Sequence, residues 1–156
     1  MTNLIKNGEF YEGAKDWSVS HPKHVNFEED DGCKITSPGY MSQDVIFQSE
    51  AKEYALSARM KTAPNDTARV ILTLHPSGDE LELALTAAIK WQVHTDWILA
   101  PAGTTGATVR IQPDEAIGVA VAHFGSLVLL SLDTREPKNF LERVVAWWRS
   151  LFGARG

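Results

Sequence analysis

From residue 3 to residue 133, most of the chain reads in period 2: short runs in which every second residue is apolar, each closed by a turn cluster. The sharpest run sets Leu81, Leu83 and Leu85 against Glu80, Glu82 and Ala84. Successive strand side chains point to opposite faces, so such a run buries one face and wets the other, as in antiparallel sheet. Strands are expected at 3–6, 17–20, 25–28, 34–36, 40–47, 53–62, 68–75, 80–86, 91–100, 108–112, 117–124 and 127–133. Between them lie Asn7-Gly8, Ser37-Pro38-Gly39, Pro64-Asn65-Asp66, Pro101-Ala102-Gly103 and Pro113-Asp114, residues that supply turn geometry. Pro76 to Asp79 gives the clearest hairpin. Many strands at this spacing, with no helix among them, predict an all-β fold: a jelly-roll β-sandwich.

The pattern changes after Asp133. Residues 134–138 form a polar hinge containing Pro137, and 139–153 read as an amphipathic helix. Asn139 stands at the N-cap with Glu142 three residues on. Phe140, Leu141, Val144, Val145, Trp147, Trp148, Leu151 and Phe152 then share one face. That face must be buried. Self-association or docking to a protein partner is the favoured reading. Packing on the chain's own domain and lying in a membrane surface are the alternatives. The expected organisation is therefore a sandwich over 1–133, a hinge and a helix.

Charge and composition exclude several classes. The chain has 156 residues, 44% hydrophobic and 22% charged, enough for one domain with a real core. A net charge of −5 argues against nucleic acid as a partner. Five of the fifteen basic residues lie from Arg135 onward, so the sandwich is acidic and the tail basic. Cys33 is the only cysteine; it reads as a small buried hydrophobe, and no intrachain disulfide is possible. The N-terminus lacks the apolar run of a signal peptide, so synthesis in the cytoplasm is expected, with release by lysis or as part of a particle such as one of phage origin. His21 and His24 lack a second close pair for a metal. No nucleophile elbow, phosphate loop or zinc protease signature appears, and no enzymatic activity is expected.

Four ordered segments carry a family resemblance. Asn3-Leu4-Ile5-Lys6-Asn7-Gly8-Glu9-Phe10, followed by Gly13 and Trp17, resembles the opening of carbohydrate-binding modules of the family 4/9/22 type. Tyr40-Met41-Ser42-Gln43-Asp44-Val45 with Tyr54-Ala55-Leu56-Ser57-Ala58 resembles their next strands. Trp91-Gln92-Val93 through Leu99-Ala100-Pro101-Ala102-Gly103 and Ala107-Thr108-Val109-Arg110-Ile111 follow in order, and 124–132 resembles the closing strand. The resemblance covers about residues 3–133 and implies a galactose-binding-like jelly roll that binds carbohydrate. It also implies a structural calcium site, but here its two acidic positions fall on Tyr11 and Gly125-Ser126. Glu9 and Glu12 are the nearest substitutes, and no cofactor is expected.

Sugar recognition needs aromatic faces and polar groups, so the aromatics divide. Trp17, Tyr54 and Trp91 match the family's core positions; Tyr40, Trp97, Tyr11 and Phe47 are freer. On the 91–100 strand, Trp97 shares a face with Val93, Thr95 and Leu99, against Gln92, His94 and Asp96. The sugar-binding candidates are Tyr40, Arg59, His94, Asp96, Trp97, Arg110 and Gln112. A one-residue slip exchanges the two faces, so the sequence leaves open which one binds. The expected function is a non-catalytic glycan-binding module made multivalent, or docked to a partner, by its helix. The alternatives are a protein-binding adaptor without a sugar site and a membrane-active lectin-like protein.

Overall fold

The computed structural model describes residues 2–29, 32–114, 118–132 and 144–149. Among these residues ten strands occur, in the order β1 (Ser18–Val19), β2 (Val25–Glu28), β3 (Gly32–Thr36), β4 (Met41–Ile46), β5 (Glu53–Thr62), β6 (Thr67–His75), β7 (Glu80–Thr86), β8 (Gln92–Leu99), β9 (Gly106–Pro113) and β10 (Val121–Leu132). They form two five-stranded sheets. Sheet A runs β1-β4-β9-β6-β7 and sheet B runs β2-β3-β10-β5-β8. Every described pairing is antiparallel. This is the expected jelly-roll sandwich. The Pro76–Asp79 hairpin is present: the Leu74 N–H donates to the Asp79 carbonyl at 2.8 Å, and Gly78 turns the chain at φ +79.

The core lies between the sheets. Met41, Val70, Leu72, Val109 and Ile111 of sheet A meet Ile35, Leu56, Met60, Phe124 and Leu127 of sheet B. All are fully buried. At roughly 1.5–3 kcal/mol per large apolar side chain, this layer is the main stabilising term. Cys33 belongs to it. Burial pushes its thiol up to about 12, so it stays protonated at neutral pH and acts as a hydrophobe.

Two local expectations change. Residues 3–6 are not a ladder strand: one backbone bond, from the Leu4 N–H to the Leu129 carbonyl at 2.9 Å, is flanked by bonds from the Asn3 side chain. Its Nδ2 donates to the Leu127 carbonyl and its Oδ1 accepts from the Leu129 N–H, both at 2.9 Å. Gln43, buried in β4, then clamps this segment from sheet A: its Oε1 accepts from Lys6 N–H at 2.8 Å and its Nε2 donates to Lys6 C=O at 2.9 Å. Both lone polar groups are thereby satisfied inside the molecule.

The closing strands expected at 117–124 and 127–133 are, within the described residues, one twelve-residue strand. Its register shifts between Phe124 and Ser126, a bulge at Gly125. Gly125, which falls in the gap between the two expected strands, acts here as a spacer. A Cβ on it would sit 2.9 Å from the Arg59 guanidinium and 3.2 Å from the Trp91 ring.

The hinge and Phe140, Leu141, Leu151 and Phe152 lie outside the described residues. Residues 144–149 are helical. Val144 and Trp148 are buried against Val128 and Leu130 on the outer face of β10, with Trp147 packed alongside. The chain's own sheet thus takes up part of the apolar helix face, where the sequence favoured another subunit or a partner. No helix among the described residues is long and apolar enough to cross a membrane.

Candidate functional site

In sheet A, the residues between the buried ones point outward. Ser42 and Asp44 do so from β4, Thr108, Arg110 and Gln112 from β9, and Arg69, Ile71, Thr73 and His75 from β6. Register brings them together across the strands: Arg110 faces Ser42 and Ile71, Gln112 faces Arg69, and Thr108 faces Asp44 and Thr73. Tyr40 precedes β4, and the Arg110 guanidinium lies over its ring, 3.7 Å from the centroid. This cation–π contact fixes both side chains.

Most polar groups on this face are spent on one another. Arg69 donates to Asp114 at 3.2 Å and to Glu82. The hydrogen bond to Asp114, with the charge of Glu82 beside it, pushes the Arg69 pKa further up. Thr108 donates its hydroxyl proton to Asp44 at 2.7 Å. Its oxygen can then only accept from His75, so the His75 Nε2 carries a proton in that 2.8 Å contact. Arg110 is different. It makes no hydrogen bond or ion pair with any described residue, and its Nε is shielded and unpaired. The Gln112 Oε1 is likewise shielded without a partner. Unsatisfied buried polar atoms are uncommon in native proteins, and three stand together here, the Arg69 Nε being the third.

The seven expected sugar contacts are therefore split three ways. Tyr40, Arg110 and Gln112 gather on sheet A. Arg59 and Trp97 stand on the outer face of sheet B, where Trp97 pairs with Ala55 and is 51% exposed. His94 and Asp96 have core-side parity on β8, opposite Ala58 and Leu56. β8 is an edge strand, so both stay in contact with water, and polar groups so placed blunt sheet-to-sheet pairing. A single groove holding His94, Asp96, Arg59, Arg110 and Gln112 is not formed, because β8 and β9 lie in different sheets. The sequence reading missed Arg69, Asp44, Thr108 and His75. Period 2 marked them as outward, but nothing in the sequence paired β9 with β6 and β4.

Trp91 also departs from its expected core position. It shares the parity of Val93, Thr95 and Trp97, and it lies half-buried on the outer face of sheet B. Arg59 is 4.1 Å and Lys61 4.8 Å from its ring, and His123 meets it edge-on at 6.3 Å. The bulge at Gly125 leaves the space for it. Trp17 and Tyr54 are buried as expected, and Phe47 stacks on Tyr54 at 4.2 Å. Tyr11 is exposed and lines a cavity of about 1020 Å³ with Glu9, Glu28, Glu29, Arg59 and Gly125-Ser126. The two positions of the implied calcium site do converge there. Among the described residues, however, no three metal-ligating side chains cluster.

Solved structures share this fold. TmCBM61, solved in complex with β-1,4-galactotriose, matches 85% of this chain and 100% of its own, at TM-score 0.62 and 16% identity. A family 16 carbohydrate-binding module matches 83% of this chain and 100% of its own, at TM-score 0.62 and 19% identity. The enzymatically active domain of bacteriophage CBA120 tailspike protein 4 matches 83% of this chain but 21% of its own, at TM-score 0.59 and 12% identity. No family model matches the chain. No curated protein matches it either. The fold is the jelly roll of carbohydrate-binding modules.

Proposed function

We propose that the protein is a non-catalytic glycan-binding module whose ligand lies across the outer face of sheet A. One observation carries this reading: Arg110 and Gln112, at the middle of an open sheet, have hydrogen-bonding capacity that no described residue uses. Pairing with β4 and β6 holds Arg110 in place, and pairing with β6 holds Gln112. Sugar hydroxyls and ring substituents are the complement of such a face. The binding of β-1,4-galactotriose by TmCBM61 lends support at the level of fold.

A glycan array locates the ligand, and two variants locate the site. Ser42→Trp places a bulky ring opposite Arg110. It is expected to weaken binding at least tenfold, about 1.4 kcal/mol. Trp97→Ala, on sheet B, is expected to leave binding unchanged. The reverse pattern moves the site to sheet B, and no binding to any glycan favours a protein-binding adaptor.

A second reading, assembly through the helix, is supported by Val145, 37% exposed, and by Trp97 and Leu99, exposed on the outer face of sheet B. Linking copies would raise avidity without new sugar contacts. A solution mass at a multiple of 17.2 kDa that falls to 17.2 kDa on Val145→Asp is the expected result. A monomeric native chain contradicts it.

A further inference from the structure

We infer that the sheet A face selects an anionic sugar, one bearing a carboxylate or a sulfate, through Arg110. This rests on the proposed glycan-binding role of that face and narrows its ligand class.

The described outward side chains of sheet A offer three basic groups: Arg69, His75 and Arg110. Arg69 is held by Asp114 and Glu82. His75 is tied to Thr108, which is tied to Asp44. Glu80 accepts from Thr73 at 3.4 Å. Each carboxylate named here already has a partner on the face, and none of them bonds Arg110. Arg110 has only the Tyr40 ring.

The geometry points the same way. The Arg110 Nε is shielded, but its two terminal nitrogens are not among the shielded unpaired atoms and make no hydrogen bond to a described residue. They are the part of the fork left for a ligand. A guanidinium fork binds carboxylate and sulfate oxygens in pairs, a geometry that a neutral hydroxyl does not match. The guanidinium also covers one face of Tyr40 at 3.7 Å. A neutral pyranose stacking on that side would first have to displace a cation from it. Gln112, two residues along β9 on the same face, has a side-chain amide nitrogen that is not among the shielded unpaired atoms and can donate to a ligand oxygen next to the acid group. The chain as a whole carries −5, so attraction must come from this local pairing.

Affinity electrophoresis of the full chain tests the inference with four polymers: polygalacturonate, its methyl ester, a sulfated galactan and neutral β-1,4-galactan. At least one of the two anionic polymers should bind at least tenfold more tightly than the neutral pair. Which of the two it is identifies carboxylate or sulfate as the group. Arg110→Gln should lose that preference, and Arg110→Lys should keep part of it while losing the fork geometry. Unchanged melting temperatures show that both variants fold. Equal binding to neutral and anionic polymers, weakened by Ser42→Trp but not by Arg110→Gln, overturns the anionic selection and leaves the face as the site. Binding that neither Ser42→Trp nor Arg110→Gln weakens overturns the site as well, and binding to none of the four polymers overturns the inference.

Discussion

Gly32→Ala is expected to destabilise the fold by about 3–5 kcal/mol, enough to unfold much of a marginally stable domain. Two costs add. Gly32 has φ +73, where an L side chain is strained by roughly 1–2 kcal/mol. A Cβ there would also fall 2.3 Å from the Phe124 carbonyl oxygen and 2.8 Å from the Gly125 Cα. Both are backbone atoms, so no rotamer change relieves the clash. The strands must separate where Cys33 pairs with Phe124, beside the bulge. Gly78→Ala is the control. Gly78 has φ +79 but nothing within 4 Å of a Cβ, so it should cost only about 1–2 kcal/mol. The difference in urea midpoint between the two variants measures the steric part. Equal midpoints would mean that β3 and β10 do not approach as described.

Trp148→Ala should cost about 2–4 kcal/mol, somewhat below a full core Trp→Ala because the cluster is small. Trp148 is 5% exposed and closes the pocket over Val128 and Leu130. Removing the indole uncovers those two side chains on the outside of sheet B. Val145→Ala, on the exposed side of the same helix, should change the melting temperature little. Comparable melting temperatures for Trp148→Ala and the native chain would show that the helix does not rest on β10. The experiment therefore separates a helix that completes the domain from one that only tethers it.

The architecture was legible because alternation and turn residues are local signals. The strands over 53–62 and 80–86 have the bounds that their apolar spacing predicts. The N-terminal segment was less legible because it is tied to β10 by the Asn3 side chain as well as by the Leu4 backbone, which no periodicity shows. Gly125 falls between two expected strands yet lies inside one, because a glycine within a strand marks a close approach that only the neighbouring Arg59 and Trp91 reveal. The candidate site was legible in part. Tyr40, Arg110 and Gln112 were picked out by type, but their grouping depends on β9 lying between β4 and β6, strands distant in the chain. Non-local pairing of that kind leaves no trace in a single sequence. His94, Asp96 and Trp97 were grouped with them because one strand's two faces cannot be told apart without its sheet.

A backbone amide chemical-shift titration with the oligosaccharide selected on the array shows whether the outer face of sheet A is the binding surface. Saturable shifts are expected on the β4, β9 and β6 amides flanking Ser42, Arg110 and Arg69, with the β8 amides beside Trp97 unmoved. Shifts confined to β5, β8 and β10, with β9 silent, would contradict it.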